Sequence, residues 1–281
     1  MRALTLIALL LGAGPAQAEP ERIVALGGAV TEIVVALGAQ DRLVGRDTTS
    51  TYPTSVTDLP DVGYVRALSP EGVLALGPDL ILAEATAGPP EAIEVLRAAG
   101  VNYVALPETN SPDGVLEKFS VVGAALGRTA EAEALSADFR QDMDALHIKA
   151  QSVSKPRRVL FVLSIQGGRV MVGGEGSSAG SIIALAGGIN AVSDLKGYKQ
   201  ITDEALLEAA PDVILMMDRE GDLALTEADI RAHPALGATP AAQAGAILRM
   251  DGMKLLGFGP RTPEAAADLL HALYPATGGQ G

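Results

Sequence analysis

The sequence predicts an α/β protein of two Rossmann-like lobes, each on a parallel sheet, joined by one long linking helix with a ligand cleft between them. Three observations carry that prediction. Short apolar runs alternate with short helical segments in both halves of the chain, the pattern of parallel βα units that bind ligands at the carboxyl ends of their strands. A segment also recurs: Leu68-Ser-Pro-Glu71-Gly-Val-Leu74-Ala-Leu-Gly-Pro78-Asp79-Leu-Ile-Leu82 is matched 133 residues later by Ile201-Thr-Asp-Glu204-Ala-Leu-Leu207-Glu-Ala-Ala-Pro211-Asp212-Val-Ile-Leu215. That period is too long for a solenoid and signals two similar lobes. Finally, no Gly or Pro falls between Ala130 and Ser152. A helix of about 20 residues, roughly 30 Å long, can therefore tie the lobes together.

In chain order, Arg22–Leu26 reads as a buried strand broken by Gly27-Gly28, and Thr31–Gly38 as a short helix. Neither glycine opens a dinucleotide fingerprint. Arg42–Gly45 is a second strand, followed by a polar loop to Asp58. A helix from about Pro70 to Leu76 stops at Gly77, and Leu80–Ala83 is a third strand. Pro90–Ala99 is helical, and Val101–Leu106 is a fourth strand. The region from Pro112 to about Ser152 is helical with one break at Gly127-Arg128-Thr129, and Leu135, Phe139, Met143 and Leu146 fall on one face. The strand Arg158–Leu163 restarts the βα pattern. A helix Ser181–Ala186, the second copy of the repeat, a strand Ile247–Met250 and a closing helix Leu269–Leu273 complete it. In both copies, Ser69 or Thr202 is an apt helix N-cap, with a Glu at the third helical position. The expected divisions are 1–18 leader, 19–125 N-terminal lobe, 126–154 linking helix and 155–281 C-terminal lobe.

The leader reads as a secretory signal peptide. It has Met1-Arg2, an apolar run Ala3–Gly12 too short to span a bilayer as a helix, and the small-x-small site Ala16-Gln17-Ala18. Export past the inner membrane, to the periplasm of a double-membrane bacterium, is the expectation. No Cys is present, so there is no acceptor for a lipid anchor, no disulfide framework and no thiolate chemistry. The 281 residues are 48% hydrophobic with a formal net charge of -13. That balance argues against nucleic acid and anionic membranes, which need a basic face.

Candidate chemistry is sparse. Three histidines, His147, His233 and His271, are scattered without zinc spacing and read as structural or surface residues. Gly176-Ser177-Ser178-Ala179-Gly180 resembles a nucleophile elbow weakly and reads better as a helix start. An enzyme has no visible catalytic set. The remaining feature is Leu59–Gly72, where turn formers bracket Tyr64 and Arg66. In extended chain, residues two apart point to one side, so the pair can share a pocket facing the cleft. A surface loop with a packed Tyr and a solvated Arg fits the residue types as well.

Gly45-Arg-Asp-Thr-Thr-Ser-Thr-Tyr52-Pro53, the run Leu59–Gly72 with its Gly-Tyr-x-Arg-x-Leu core, Ala87-Gly88-Pro89 and Leu255-Leu-Gly-Phe-Gly-Pro-Arg261 resemble the periplasmic haem-binding proteins of bacterial ABC haem importers. The resemblance spans essentially the whole mature chain. It implies the two-lobe fold of vitamin B12 and siderophore binders, and Tyr64 as axial ligand of ferric haem. A free phenol titrates near 10, but ferric iron favours the phenolate, and a nearby cation such as Arg66 lowers the cost of that anion or pairs with a haem propionate. Arg219 falls where related proteins carry a propionate-binding Arg. Some relatives add a second ligand such as His from the C-terminal lobe. Here Leu163–Gly168 carries none and Met171 reads as core, so one five-coordinate haem is expected. In resembling binders one Glu on each lobe docks onto permease arginines, and Glu71 and Glu204 match those positions. The partners implied are haem, a permease dimer with its ATPase and, indirectly, an outer-membrane haem receptor, with the carrier itself a monomer. A ferric siderophore or cobalamin is the alternative cargo. An extracytoplasmic enzyme is the reading from a different class.

Overall fold

A computed structural model of the protein describes residues 19–218 and 224–275. The leader (1–18) and Arg219 lie outside them. The N-terminal sheet is formed by β1 (Ile23–Leu26), β2 (Leu43–Arg46), β3 (Leu80–Ala83) and β4 (Asn102–Ala105). It runs in the order β2-β1-β3-β4, and every pair is parallel. β1 and β3 are buried at every position, as expected of strands covered on both faces. Helices α1 (Gly28–Ala36), α2 (Pro70–Leu74) and α3 (Pro90–Ala98) make the crossovers. Helix α1 starts at Gly28, earlier than the sequence reading, because loop side chains already satisfy its first amides.

Two helices follow, α4 (Pro112–Leu126) and α5 (Thr129–Gln151), broken at Gly127 as expected. Phe139 and Leu146 of α5 are buried, and Leu135 and Met143 pack against the same core. Phe119 of α4 meets Phe139 edge-on, with ring centroids 5.4 Å apart. Helix α5 thus belongs to a core that runs continuously from β1 and α1 to the second sheet.

The second sheet departs from the sequence reading. Strands β5 (Arg158–Gln166), β6 (Arg169–Gly173), β7 (Ile189–Asn190), β8 (Tyr198–Ile201), β9 (Val213–Asp218) and β10 (Ile247–Asp251) form it. The order is β10-β9-β5-β6-β8, with β7 beside the start of β5. β10, β9 and β5 are parallel, but β5-β6 and β6-β8 are antiparallel. The sheet is mixed because β5 runs on past Leu163 into a hairpin turned at Gly167-Gly168, both at positive φ. Helices α6 (Ser178–Leu185), α7 (Asp203–Ala209), α8 (Glu227–Ala232), α9 (Pro234–Gly237), α10 (Pro240–Gln243), α11 (Gly252–Leu256) and α12 (Thr262–Leu273) complete the chain. Helix α12 starts seven residues before the expected Leu269.

The repeat has a mechanical meaning. Asp79 accepts the Arg22 amide (3.0 Å), and Asp212 accepts the Arg158 amide (2.7 Å). The Arg22 guanidinium donates to the Gly77 carbonyl, and that of Arg158 to the Ala209 carbonyl. Each Pro-Asp therefore fixes the entry of the first strand of its own sheet. The expected caps form: Ser69 Oγ accepts from the Gly72 amide (3.4 Å), and Thr202 Oγ1 from the Ala205 amide (3.3 Å). Glu71 and Glu204 stand one position earlier than expected, second in their helices rather than third.

Candidate functional site

The carboxyl ends of β1, β2 and β3 carry a polar floor. Asp47, fully buried, accepts the Gly27 amide (2.9 Å) and the Ser50 hydroxyl (2.8 Å) on one oxygen. Its other oxygen takes the Thr49 amide and hydroxyl (3.0 and 2.7 Å). Thr49 Oγ1 in turn accepts the Gly28 amide (3.1 Å). The start of α1 and the 47–50 loop are thereby locked together. Beside them lies Glu84, whose carboxyl is pushed above its ordinary range by burial, while Lys118 and Arg66 act in the opposite sense. The buried Lys118 ammonium donates to the Phe258 carbonyl (3.1 Å), and burial lowers its pKa.

Above this floor the 60–68 segment extends β2. Arg46 exchanges backbone hydrogen bonds with Pro60 and Val62 (3.0 and 2.9 Å), and the Thr48 amide donates to the Gly63 carbonyl (3.0 Å). From Gly63, at φ 93°, the chain turns, and the Ala67 amide closes on the Tyr64 carbonyl (2.7 Å). A second clamp runs to the next loop: the Gly88 amide donates to Val65 and the Leu68 amide to Gly88 (2.9 Å each). The segment is a turn here and not extended chain, so the alternation of an extended strand is not what orients Tyr64 and Arg66. The outcome for the side chains is nonetheless alternating. Val65 is buried at 3%, Tyr64 is 47% exposed, and Arg66 is exposed. The Tyr64 phenol makes no hydrogen bond among the described residues.

The opposite wall comes from the second lobe. The Asn110 side-chain amide donates to the Gly176 carbonyl (3.2 Å), bringing the loop before α6 against the first lobe. Behind it, Tyr198 and Ser178 share a 2.8 Å hydroxyl–hydroxyl hydrogen bond. The Tyr198 ring lies edge-on to Phe161 at 6.3 Å. Burial raises the Tyr198 pKa, and the Ser178 hydroxyl, the Ala179 amide and the charge of Arg66 oppose it. The charge of Arg66 acts to lower the pKa of both Glu84 and Tyr198, against the larger effect of burial.

At the middle of α1 the lobes are joined by a buried ion pair. Glu32 takes two hydrogen bonds from Arg261 (3.0 and 2.5 Å), and the guanidinium lies 3.9 Å from the centre of the Tyr52 ring. Burial raises the Glu32 pKa in spite of that partner.

Of the residues singled out from the sequence, Tyr64 and Arg66 are both exposed, on the turn that follows Gly63. Glu71 and Glu204 are exposed in the first turns of α2 and α7, Glu71 accepting the Ser69 hydroxyl (2.9 Å). His147 bonds Gln151 on α5 (2.8 Å), and His271 is exposed on α12. His233 is buried, and its Nδ1 accepts the Leu236 amide (3.3 Å) at the start of α9. Ser177 caps α6 through the Gly180 amide (3.0 Å), the helix start expected there. Met171 is half-buried in β6. Sequence reasoning missed Tyr198, Glu84, Lys118 and the Glu32–Arg261 pair. For Tyr198 a signal existed: Gly63-Tyr64 and Gly197-Tyr198 each precede one copy of the repeat, but one residue out of register. Among the described residues, no group of three or more His, Asp or Glu is disposed to hold a metal ion.

Comparison with known proteins converges on one superfamily. The periplasmic heme-binding protein BhuT, solved in complex with two hemes, is 41% identical with a TM-score of 0.84, over 90% of this chain and 97% of that one. The periplasmic heme-binding protein RhuT from Roseiflexus sp. RS-1, in apo form, is 37% identical with a TM-score of 0.86, over 90% and 98%. An uncharacterized ABC transporter substrate-binding lipoprotein of Bacillus subtilis, YvrC, is 28% identical over 92% of this chain and 82% of its own length. The periplasmic binding protein family model matches residues 23–252, and the chain belongs to that family.

Proposed function

We propose that this protein captures haem in the periplasm and delivers it to an ABC-type importer of the inner membrane. The observation that carries the reading is Tyr64. Its phenol stands 47% exposed on a turn clamped from two sides, with no hydrogen-bond partner among the described residues. A tyrosine recruited for packing would bury its ring and pair its hydroxyl. One held out beside an arginine suits a ferric iron that takes up phenolate. Likeness to BhuT and RhuT, described as heme-binding, supports the same cargo.

In this reading Tyr64 is the axial ligand of a single five-coordinate haem. Arg66 favours the phenolate or pairs with a propionate, and Arg219, outside the described residues, is a further propionate partner. Glu71 and Glu204 orient docking on the permease dimer, whose ATPase drives release into the membrane pathway. The leader 1–18 directs export, residues 19–125 and 155–281 form the two lobes, and 126–154 link them. The carrier works as a monomer, without turnover. No described helix is long and apolar enough to cross a membrane.

The test is a hemin titration followed in the visible spectrum. Wild-type protein should give a saturable tyrosinate-ferric spectrum, and Tyr64→Ala should lose it. Absence of any saturable change with hemin, while cobalamin or a ferric siderophore quenches tyrosine fluorescence, would replace haem by one of those cargoes.

A further inference from the structure

The second lobe repeats the setting of Tyr64. Gly63, at φ 93°, precedes Tyr64, and Gly197, at φ 66°, precedes Tyr198. Both positions need a residue without a Cβ penalty in the left-handed region. An isolated parallel bridge stands just upstream in each lobe, Arg46 with Asp61 and Glu175 with Lys196. Just downstream stands a hydroxyl-capped helix, α2 behind Ser69 and α7 behind Thr202. The two tyrosines thus hold corresponding places one residue out of register, and they have diverged: Tyr64 stands on a turn and Tyr198 opens β8, antiparallel to β6. Tyr64 is exposed and makes no hydrogen bond among the described residues, whereas Tyr198 is half-buried and bonded to Ser178.

That divergence fixes what Tyr198 can do. Burial pushes the Tyr198 phenol up from its ordinary range, which disfavours the phenolate that ferric iron takes as a ligand. A protonated phenol is a hydrogen-bond donor. The Tyr198–Ser178 pair carries two hydroxyl protons, and the bridge between them uses one. The other has no acceptor among the described residues. The Asn110 side chain reaches the Gly176 carbonyl, two residues before Ser178, and so brings the first lobe, which carries the exposed Arg66, up to this wall; the charge of Arg66 acts in the sense that lowers the Tyr198 pKa. A spare hydroxyl proton in one lobe and an exposed guanidinium in the other are complementary to one anionic acceptor.

We propose that the Tyr198–Ser178 hydroxyl pair is the second-lobe receptor for a carboxylate of the ligand, gripping it opposite Arg66. The inference rests on the haem reading, in which the carboxylate is a propionate of the porphyrin. It makes Tyr198 a determinant of cargo and orientation: a macrocycle is accepted with its acid edge toward α6 and its iron toward Tyr64.

The experiment compares hemin with hemin dimethyl ester, in which both acids are masked, on wild type, Tyr198→Phe and Ser178→Ala. Tyr198→Phe keeps the ring against Phe161 and removes only the oxygen. Hydrogen bonds to charged groups predict a loss of about tenfold in hemin affinity for Tyr198→Phe, a smaller loss for Ser178→Ala, and no change for the ester in either. The ferric visible spectrum should stay as in wild type, because the iron ligand is untouched. Unchanged hemin affinity in both variants, an equal loss for acid and ester, or an altered ferric spectrum in Tyr198→Phe would each overturn the proposal while the haem reading stands. Failure of wild type to bind hemin would remove the haem reading, and the proposal with it.

Discussion

Glu32 and Arg261 meet where single residues decide energetics. The carboxylate is 8% exposed and the pair joins positions 229 apart in the chain. Burying two charges costs much of what their attraction returns, yet removing one partner strands the other. Arg261→Ala should therefore lower stability by about 3 kcal/mol, read by denaturant unfolding. A loss below 1 kcal/mol would show that water already reaches Glu32. The conservative change behaves differently. The folded pKa of Glu32 lies above its ordinary 4.5, so the native state binds this proton more tightly than the unfolded chain does. The resulting stability is complete below about 4.5 and is lost as pH rises through the folded pKa. Glu32→Gln resembles the protonated form. Its melting temperature relative to wild type should rise between pH 4 and pH 7, and a flat difference across that range would contradict the burial argument.

At the scale of elements, the β1–α1 turn sets the floor of the site. Gly27 adopts φ 122°, and a Cβ there would lie 2.4 Å from the Glu84 side chain. Gly27→Ala should cost about 2 kcal/mol or more, from backbone strain and from displacement of Glu84. Thermal unfolding would register it, and Gly27→Ala with Glu84→Ala should recover only the steric part. Full recovery in the double variant would mean the backbone carries no strain. Elements were legible in the sequence where local chemistry sufficed. The capped helices after Ser69 and Thr202, the break at Gly127 and the buried faces of Phe139 and Leu146 all follow from spacing and turn residues. The β5–β6 hairpin was not, because a strand that runs on past Leu163 reads like one that stops there until its partner β6 is known. Nothing local in the sequence marks Lys118 or Glu32 for burial, since the groups they bond lie 140 and 229 residues away. Tyr198 hid for a smaller reason, a one-residue slip between the two copies. The candidate site was thus half visible: Tyr64 and Arg66 could be named from their motif, and the facing wall needed the fold.

For the whole molecule, the repeat places one exposed glutamate on each lobe, Glu71 and Glu204. Charges at such a rim steer and orient association more than they hold it. Alanine at both positions should leave hemin affinity as in wild type. Delivery to the importer in reconstituted vesicles should weaken by roughly two- to fivefold per site, within the range of exposed ion pairs, and lose part of its salt dependence. Uptake equal to wild type across salt concentrations would reject the docking role.

The last stretch of the chain does not stay in the second lobe. The Phe258 carbonyl receives Lys118, and Arg261 closes on Glu32 beneath the Tyr52 ring. Among the described residues, Lys118 and Glu32 therefore gain their side-chain hydrogen bonds only when residues near 260 arrive. Contacts of such long sequence separation form late, because the entropy of closing the chain must be met before they return anything. The first sheet can collapse early around β1 and β3, but its ligand floor is finished only when the chain comes back to it. An intermediate with both sheets formed and this return unmade would hold Tyr64 on its turn over an unfinished floor. Competence to bind should therefore appear with the slowest folding phase, after most secondary structure is in place.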